Sequence, residues 1–439
     1  MELFPPFEET IAGALASIRS GRRSCREVLE SCLDRIDARE ADVRAWAFLD
    51  RDGARSQADR LDADLRAGRP IGPLGGIPIG VKDIIDVKGL PSAHGRPGWE
   101  GTISQDDAAM VRMLRNRGAV ILGKTVSTPY AWIDPPPTRN PWDLGRTPGG
   151  SSSGSAAAVA EGMCLGALGS QTGGSITRPA SFCGVCGFKP AFGRMPGDGI
   201  LPLSPSLDHP GPIARTVGDL ALMADVPLAP KAGPTRIGRL RGFFEERSEP
   251  AMLDAMEHAT AALIQAGIRV VEAPLPDHFP EFARHHFAIM SAEAATFHRR
   301  DFESDPARFP TRMTALIEAG LRVSAVEYLE AKRFQDAFRH EFDAIFNEVD
   351  ALLTPAALGP APTPETTGDP AFNSPWSLAG LPTITHPIGL DPEGLPLGLQ
   401  LVGAAPPDLG ASLFGLALRT ERAIRLAAGA PELPPPGQT

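Results

Sequence analysis

The sequence predicts an α/β fold organised as one continuous domain over residues 1–439. Apolar residues recur at helical spacing in segments such as 24–36 and 251–267, while β-branched runs bounded by Gly and Pro at 75–86 and 119–122 read as strands. Composition agrees: 42% hydrophobic and 22% charged residues, with 46 Gly and 45 Pro, suit a globular chain built with many turns. No internal repeat and no clean linker divides it.

Taken in order, residues 8–68 read as helices, with Ser24 capping a segment that carries Val28, Leu29, Leu33 and Ile36 on one face. Residues 75–86 form a strand, 106–117 a helix and 119–122 a short buried strand. Residues 134–155, rich in Pro, Gly and Ser, are loop, 156–168 a helix of small residues, and 171–188 mostly turn. An amphipathic helix over 251–267 precedes a largely helical stretch, 281–348, in which Phe334, Phe338, Phe342 and Phe346 make a stripe suited to core packing. Residues 355–370 are a proline-rich crossover, 381–402 return to strand character, and the tail with Pro434, Pro435, Pro436 and Gly437 is expected to fray.

The charge balance, 43 Lys and Arg against 53 Asp and Glu for a net −10, argues against nucleic acid or an anionic membrane surface as the main partner. No apolar run approaches the roughly 18 residues of a membrane span. Residues 1–6 lack the basic start and apolar core of a signal peptide, and five unevenly spread cysteines do not suggest a disulfide framework, so a reducing cytoplasmic setting is expected. Cys183 and Cys186 form a lone CxxC, read as two small buried thiols. Nine histidines without an HExxH, and no carboxylates at ligand spacing, predict neither metal nor cofactor.

Three motifs compete for the chemistry. Residues 118–125 satisfy the Walker A pattern, but their middle four are Ala, Val, Ile and Leu, which make a strand rather than a phosphate-wrapping loop, and Pro129 interrupts the helix that should follow. Replacing Lys124 should therefore be mild. Gly150-Ser151-Ser152-Ser153-Gly154 satisfies the nucleophile-elbow pattern around Ser152, with Asp350 and His386 as conceivable partners, but polar turn-forming residues precede it where a strand is needed. The third reading joins Lys82, in the apolar strand Gly80-Val81-Lys82-Asp83-Ile84-Ile85, to the Gly/Ser cluster 149–155 and to Thr172-Gly173-Gly174-Ser175-Ile176. A serine nucleophile needs a base within hydrogen-bond reach, and no histidine sits in the cluster. A lysine could serve if burial or charged neighbours lower its ordinary pKa of about 10.4. A strand lysine could also reach solvent or pair with Asp83 or Asp86.

Here the chain resembles the amidase signature family, the Ser–cis-Ser–Lys hydrolases. The resemblance takes in Arg139-Asn140-Pro141-Trp142, Arg178-Pro179-Ala180-Ser181-Phe182-Cys183-Gly184, Gly187-Phe188-Lys189-Pro190, Ser206-Leu207-Asp208, Ala379-Gly380-Leu381-Pro382 and residues 394–400. It covers nearly the whole chain and is weakest over the helical middle, about 236–350, expected to be a variable substrate-region segment. The pattern departs from the commonest family form at Gln171, where Asp is usual, at Pro129-Tyr130, and at Arg178, one place late. The first two set the chain apart from glutamyl-tRNA amidotransferase subunits.

The resemblance implies a large mixed β-sheet flanked by helices on both sides and hydrolysis of carbon–nitrogen bonds other than peptide bonds. It implies Ser175 as nucleophile, Ser151 after a cis peptide bond as bridge, and Lys82 as base, with backbone amides of Thr172, Gly173, Gly174 and Ser175 as oxyanion hole. Tyr130, Trp132, Gln171, Phe372 and Trp376 are candidate substrate contacts, their aromatic content suiting an apolar substrate. The expected substrate is a small amide, carbamate or ester, handled by a monomer or homodimer. The alternatives are an amidotransferase-type subunit working with a partner chain, or a carboxylesterase.

Overall fold

A computed structural model describes residues 9–96, 98–228, 235–405 and 410–430. The expectations for residues 1–6 and for the proline tail lie outside them. The chain opens with α1 (Ile11–Arg19) and α2 (Cys25–Val43), followed by β1 (Trp46–Leu49), α3 (Arg51–Arg66) and β2 (Pro78–Lys82). Ser24 caps α2 as expected: its hydroxyl accepts from Glu27 N while the Glu27 carboxylate accepts from Ser24 N. A short pair, β3 (Pro91–Ser92) and β4 (Thr102–Ile103), leads to α4 (Ala109–Asn116) and β5 (Val120–Thr125). Then come α5 (Ser153–Ala160), β6 (Gly166–Gln171), α6 (Thr177–Cys183), β7 (Cys186–Lys189), β8 (His209–Ala214) and α7 (Val217–Ala224).

The second half holds β9 (Arg236–Leu240), α8 (Phe243–Arg247), α9 (Pro250–Gln265) and β10 (Arg269–Ala273). A helical excursion follows: α10 (Phe282–Ser304), α11 (Thr311–Gly320) and α12 (Ala325–Phe346). The chain returns through β11 (Ala351–Pro355), α13 (Ser374–Leu378), β12 (Thr383–Leu390), β13 (Pro396–Val402) and α14 (Ala411–Ala427).

Eleven strands form one mixed sheet in the order β1-β5-β2-β6-β8-β7-β12-β13-β11-β9-β10. The strands β5, β2 and β6 run parallel, as do β11, β9 and β10, and antiparallel pairs join the two groups. Both faces are covered. In β11, Ala351 and Leu353 belong to the larger core while Leu352 points into a second, aromatic core with Phe338, Phe342, Phe372 and Trp376. Two residues of the Phe stripe, Phe338 and Phe342, are fully buried there, with Phe334 and Phe346 packed at its edge.

Three segments differ from expectation. The segment 8–68, read as all helix, contains β1, too short for its period to register. The small-residue helix ends at Ala160, and Gly166-Ala167-Leu168 open β6. Glycine is a poor strand former by propensity, yet β6 is central and crowded: a Cβ on Gly166 would lie 2.4 Å from the Met223 sulfur, and one on Gly169 would lie 2.8 Å from Ser152 Oγ. The span 171–188, read as mostly turn, holds α6 and β7.

Candidate active site

The parallel register of the central strands assembles the site. Ile79, Gly80 and Val81 of β2 face Gly166, Ala167 and Leu168 of β6, so Lys82, the last residue of β2, ends level with the carboxyl-terminal part of β6. The turn 172–176 leaves β6 there, and the 149–152 loop enters α5 beside it. The two loops are tied directly: Ser152 N donates to Ser175 O at 3.3 Å. The Gly150–Ser151 peptide bond is cis.

Lys82 is fully buried, and its Nζ lies 2.7 Å from Ser151 Oγ, 2.8 Å from Ser170 Oγ and 3.3 Å from Ser170 O. It neither reaches solvent nor pairs with Asp83. Burial pushes its pKa down to about 7, with the nearby Asp208 carboxylate pulling the other way. Burial in turn raises Asp208 to about 6, against the Thr172 hydroxyl and the Ser204 and Leu203 amides that bond its carboxylate. An amine with a pKa near 7 exchanges its proton readily at neutral pH, which an ordinary lysine does not.

The turn 172–175 has an asymmetric hydrogen-bond pattern. Its carbonyls are occupied: Thr172 O faces His286 Nε2 at 3.0 Å, Gly173 O accepts from Ser377 Oγ at 2.8 Å, Gly174 O from Arg178 N and Ser175 O from Ser152 N. The N–H groups of Thr172, Gly173, Gly174 and Ser175 have no acceptor among the described residues. Such a set of free amides beside a serine is what a developing oxyanion requires. Glycine at 174 is required for space, because a Cβ there would come within 2.5 Å of Asn373 Oδ1. Ser175 is 8% exposed, and its hydroxyl has no partner among the described residues, unlike that of Ser151.

A family model described as Amidase matches residues 27–233 and 223–408. The chain belongs to the amidase signature family. It is 35% identical over 423 residues to an amidase of Pseudomonas putida, covering 88% of this chain and 90% of the relative. It is 34% identical over 476 residues to a glutamyl-tRNA(Gln) amidotransferase subunit of Synechococcus sp. (strain RCC307), covering 95% and 98%. Among solved structures, an amidase crystal structure superposes with a TM-score of 0.87 at 33% identity, over 94% of this chain and 99% of that one. Overall identity thus does not separate the chain from the amidotransferase subunits, although Gln171 and Pro129 depart from the commonest family form.

Within this family fold, a cavity of about 330 Å³ opens beside Lys82's partner Ser170. Ser170, Thr172 and Asp208 supply its polar wall, and Ile84, Met195, Ile200 and Leu203 are among its apolar residues. The proposed substrate contacts divide. Tyr130 and Trp132 flank Ala131, which lines the cavity. Tyr130 stacks on Phe309, its centroid 4.7 Å away, and Trp132 Nε1 donates to Arg312 O, so both pin the segment 130–132 to the helical excursion. Phe372 and Trp376 are completely buried in the aromatic core and line no wall of this cavity. Gln171 is also completely buried: its Oε1 accepts from Ile176 N, Thr177 N and Thr177 Oγ1, and its Nε2 donates to Ser377 Oγ at 3.3 Å. It fastens the turn from beneath instead of presenting an amide to a ligand. Sequence alone singles out neither Ser170 nor Asp208; Asp208 stands in a matching motif without a role, and Ser170 resembles any turn serine.

The rival motifs are absorbed by structure. Residues 120–125 are β5 itself, and Lys124 is buried 3.5 Å from Asp83 and 2.7 Å from Ser92 Oγ. Removing it would strand a buried carboxylate, so the expectation that its loss is mild does not hold for stability. Ser152 Oγ is buried and donates to Ser170 O at 3.3 Å, while His386 bonds Thr420 and Asp350 accepts from Arg236 N, so no relay surrounds Ser152. Cys183 and Cys186 are free and buried.

Proposed function

We propose that the protein hydrolyses carbon–nitrogen bonds of small amides through an acyl-enzyme on Ser175, with Lys82 as the base and Ser151 as the proton carrier between them. The observation that carries this reading is the 2.7 Å contact between Ser151 Oγ and a buried Lys82 whose pKa lies near 7. Neutral Lys82 takes the Ser151 proton as Ser151 takes that of Ser175, and Ser175 Oγ bonds to the substrate carbonyl carbon. The carbonyl oxygen becomes an oxyanion held by the free amides of residues 172–175. As the C–N bond breaks, Ser151 protonates the departing nitrogen and recovers its proton from Lys82. Water, deprotonated through the same relay, then cleaves the acyl ester, releasing the acid and restoring Ser175. The missing Ser151–Ser175 hydrogen bond is expected to close with substrate bound, as catalytic contacts in unliganded enzymes commonly do.

Acylation is indifferent to whether nitrogen or oxygen lies beyond the carbonyl, so aryl amides, aryl carbamates and aryl esters are all candidate substrates. Thr172 ties the cavity to the nucleophile turn, although Ser175 itself is not among its lining residues, and the largely apolar walls support an uncharged acyl or aryl group. The identity to amidotransferase subunits supports a second reading, in which the same chemistry releases ammonia for a partner chain.

A fluorophosphonate should label Ser175, located by peptide mapping, and Lys82→Ala should abolish both labelling and turnover. An adduct on Ser152, or full activity in Lys82→Ala, would sink the mechanism. Side-by-side p-nitroanilide, N-aryl carbamate and p-nitrophenyl ester assays define the bond: turnover of the ester alone would make the protein an esterase, and no turnover without an added partner would favour the amidotransferase reading.

A further inference from the structure

The helical excursion reaches the cavity wall through one carboxylate. Glu293 of α10 accepts four hydrogen bonds. Its Oε2 takes Ser204 Oγ at 2.7 Å and Ser206 N at 2.9 Å, and its Oε1 takes Ser206 Oγ and, at 2.8 Å, the Tyr328 hydroxyl of α12. Three of these donors belong to one short loop. That loop contributes Leu203, Pro205 and Asp208 to the cavity. It also folds back on itself, with Ser204 O accepting from Leu207 N and Asp208 N at 2.8 and 2.9 Å. Asp208 Oδ2 accepts from Leu203 N and Ser204 N, while its Oδ1 accepts from the Thr172 hydroxyl of the nucleophile turn.

Glu293 thus stands at one end of a continuous series of contacts and the Ser175 turn at the other. A carboxylate with four donors is firmly ionised: although its half-buried setting pushes its pKa up, the bonds from Ser206 and Ser204 bring it below the ordinary value. Charge-assisted bonds of this kind are short and directional, so they fix a loop more tightly than apolar contact would. No helix or strand holds residues 201–208.

We propose that Glu293 is a positioning residue for substrate binding: it clamps the 203–208 loop, and so sets the shape of the cavity and the seat of Asp208 against Thr172. This rests on the Ser175 hydrolase reading for its kinetic consequences. Lys82, Ser151 and Ser175 are held by β2, by α5 and by the tie between Ser152 and Ser175, none of which Glu293 touches. Loosening the loop therefore acts first on substrate binding, and reaches the chemical step only through Asp208, which bonds Thr172 and raises the Lys82 pKa.

Glu293→Gln introduces an amide donor opposite Ser204 and Ser206. The expected result is KM raised about tenfold with kcat within about threefold of the wild type. The double variant Ser204→Ala/Ser206→Ala, which removes hydroxyl donors from the other side, should reproduce that split, while Tyr328→Phe, which removes one of the four bonds on Glu293 and none of those to the loop, should raise KM less than Glu293→Gln does. Hydrogen–deuterium exchange over residues 200–210, measured on the full chain, should rise in Glu293→Gln and rise less in Tyr328→Phe. Exchange reads the clamp whichever residue is the nucleophile, so its rise without any fluorophosphonate adduct on Ser175 would fault the hydrolase reading alone. Unchanged exchange in Glu293→Gln, or a loss confined to kcat, would overturn the proposal.

Discussion

Ser170 Oγ lies 2.8 Å from Lys82 Nζ, nearly as close as Ser151 Oγ at 2.7 Å, and it opens on the cavity. The amine is held between two hydroxyls, one on the loop before α5 and one within β6. Two fixed acceptors orient the amine toward Ser151.

Ser170→Ala should leave the fold intact and lower kcat without abolishing it. A hydrogen bond to the neutral amine that the proposed mechanism uses is worth about 0.5–1.5 kcal/mol, which corresponds to about two- to tenfold in rate. Steady-state kinetics beside Lys82→Ala, which should be inactive, checks the order; equal inactivity in both would mean that Ser170 does more than orient.

Activity should depend on pH through the lysine. In the proposed mechanism the reactive form is neutral Lys82, so kcat/KM should rise with pH through a midpoint of about 7. Asp208 pulls that pKa upward, because an anion favours the protonated amine. Asp208→Asn should therefore move the midpoint to lower pH, and a pH–rate profile of both proteins measures the displacement. A shift to higher pH would contradict the assigned polarity.

Lys124→Ala should act on stability. It leaves Asp83, whose carboxylate accepts from Ala93 N and Gly95 N, buried without its cation, and breaking such a pair from one side costs about 3–5 kcal/mol. Denaturant unfolding should show the loss, and Lys124→Met combined with Asp83→Asn should recover most of it. ATP should not stabilise the wild type in the same assay.

Glu421 of α14 offers a second pH test, remote from the chemistry. Its carboxylate accepts from Val217 N and from the Cys186 thiol, and burial raises its pKa to about 7. A carboxyl whose folded pKa lies above its unfolded value binds its proton more tightly when folded. The stability it confers is complete in acid and is lost as pH rises through about 7. Glu421→Gln should thus gain on the wild type between pH 5 and pH 8, by about a few degrees in Tm, measured by thermal unfolding at both values.

The sequence was legible where spacing and residue type constrain each other. Lys82, Ser151 and Ser175 were joined by the family resemblance, since spacing alone left a strand lysine able to reach solvent or pair with Asp83 and offered Ser152 as a rival nucleophile; the structure brings their segments to one end of β2 and β6. Ser170 was not legible, because a serine in a Gly/Ser-rich strand is indistinguishable from a turn serine until β6 is seen between β2 and β8. The aromatic residues misled for a related reason. Phe372 and Trp376 are as suited to a core as to a pocket, and only the packing of Trp376 against Phe342, 5.4 Å between centroids, distinguishes them. Gln171 was a polar residue beside the right motif whose side chain faces the turn it supports.

All five cysteines are free and buried. Burial raises the Cys25 and Cys164 thiols to about 12 and holds those of Cys32, Cys183 and Cys186 above the ordinary range as well, so the native chain presents almost no thiolate to an alkylating reagent. Each thiol is therefore a clock for the opening of its own neighbourhood. Cys25 and Cys32 time the detachment of α2, Cys164 the parting of β2 from β6, and Cys183 with Cys186 the fraying of the centre of the sheet. Mass spectrometry of timed alkylation would rank these openings without introducing a single probe.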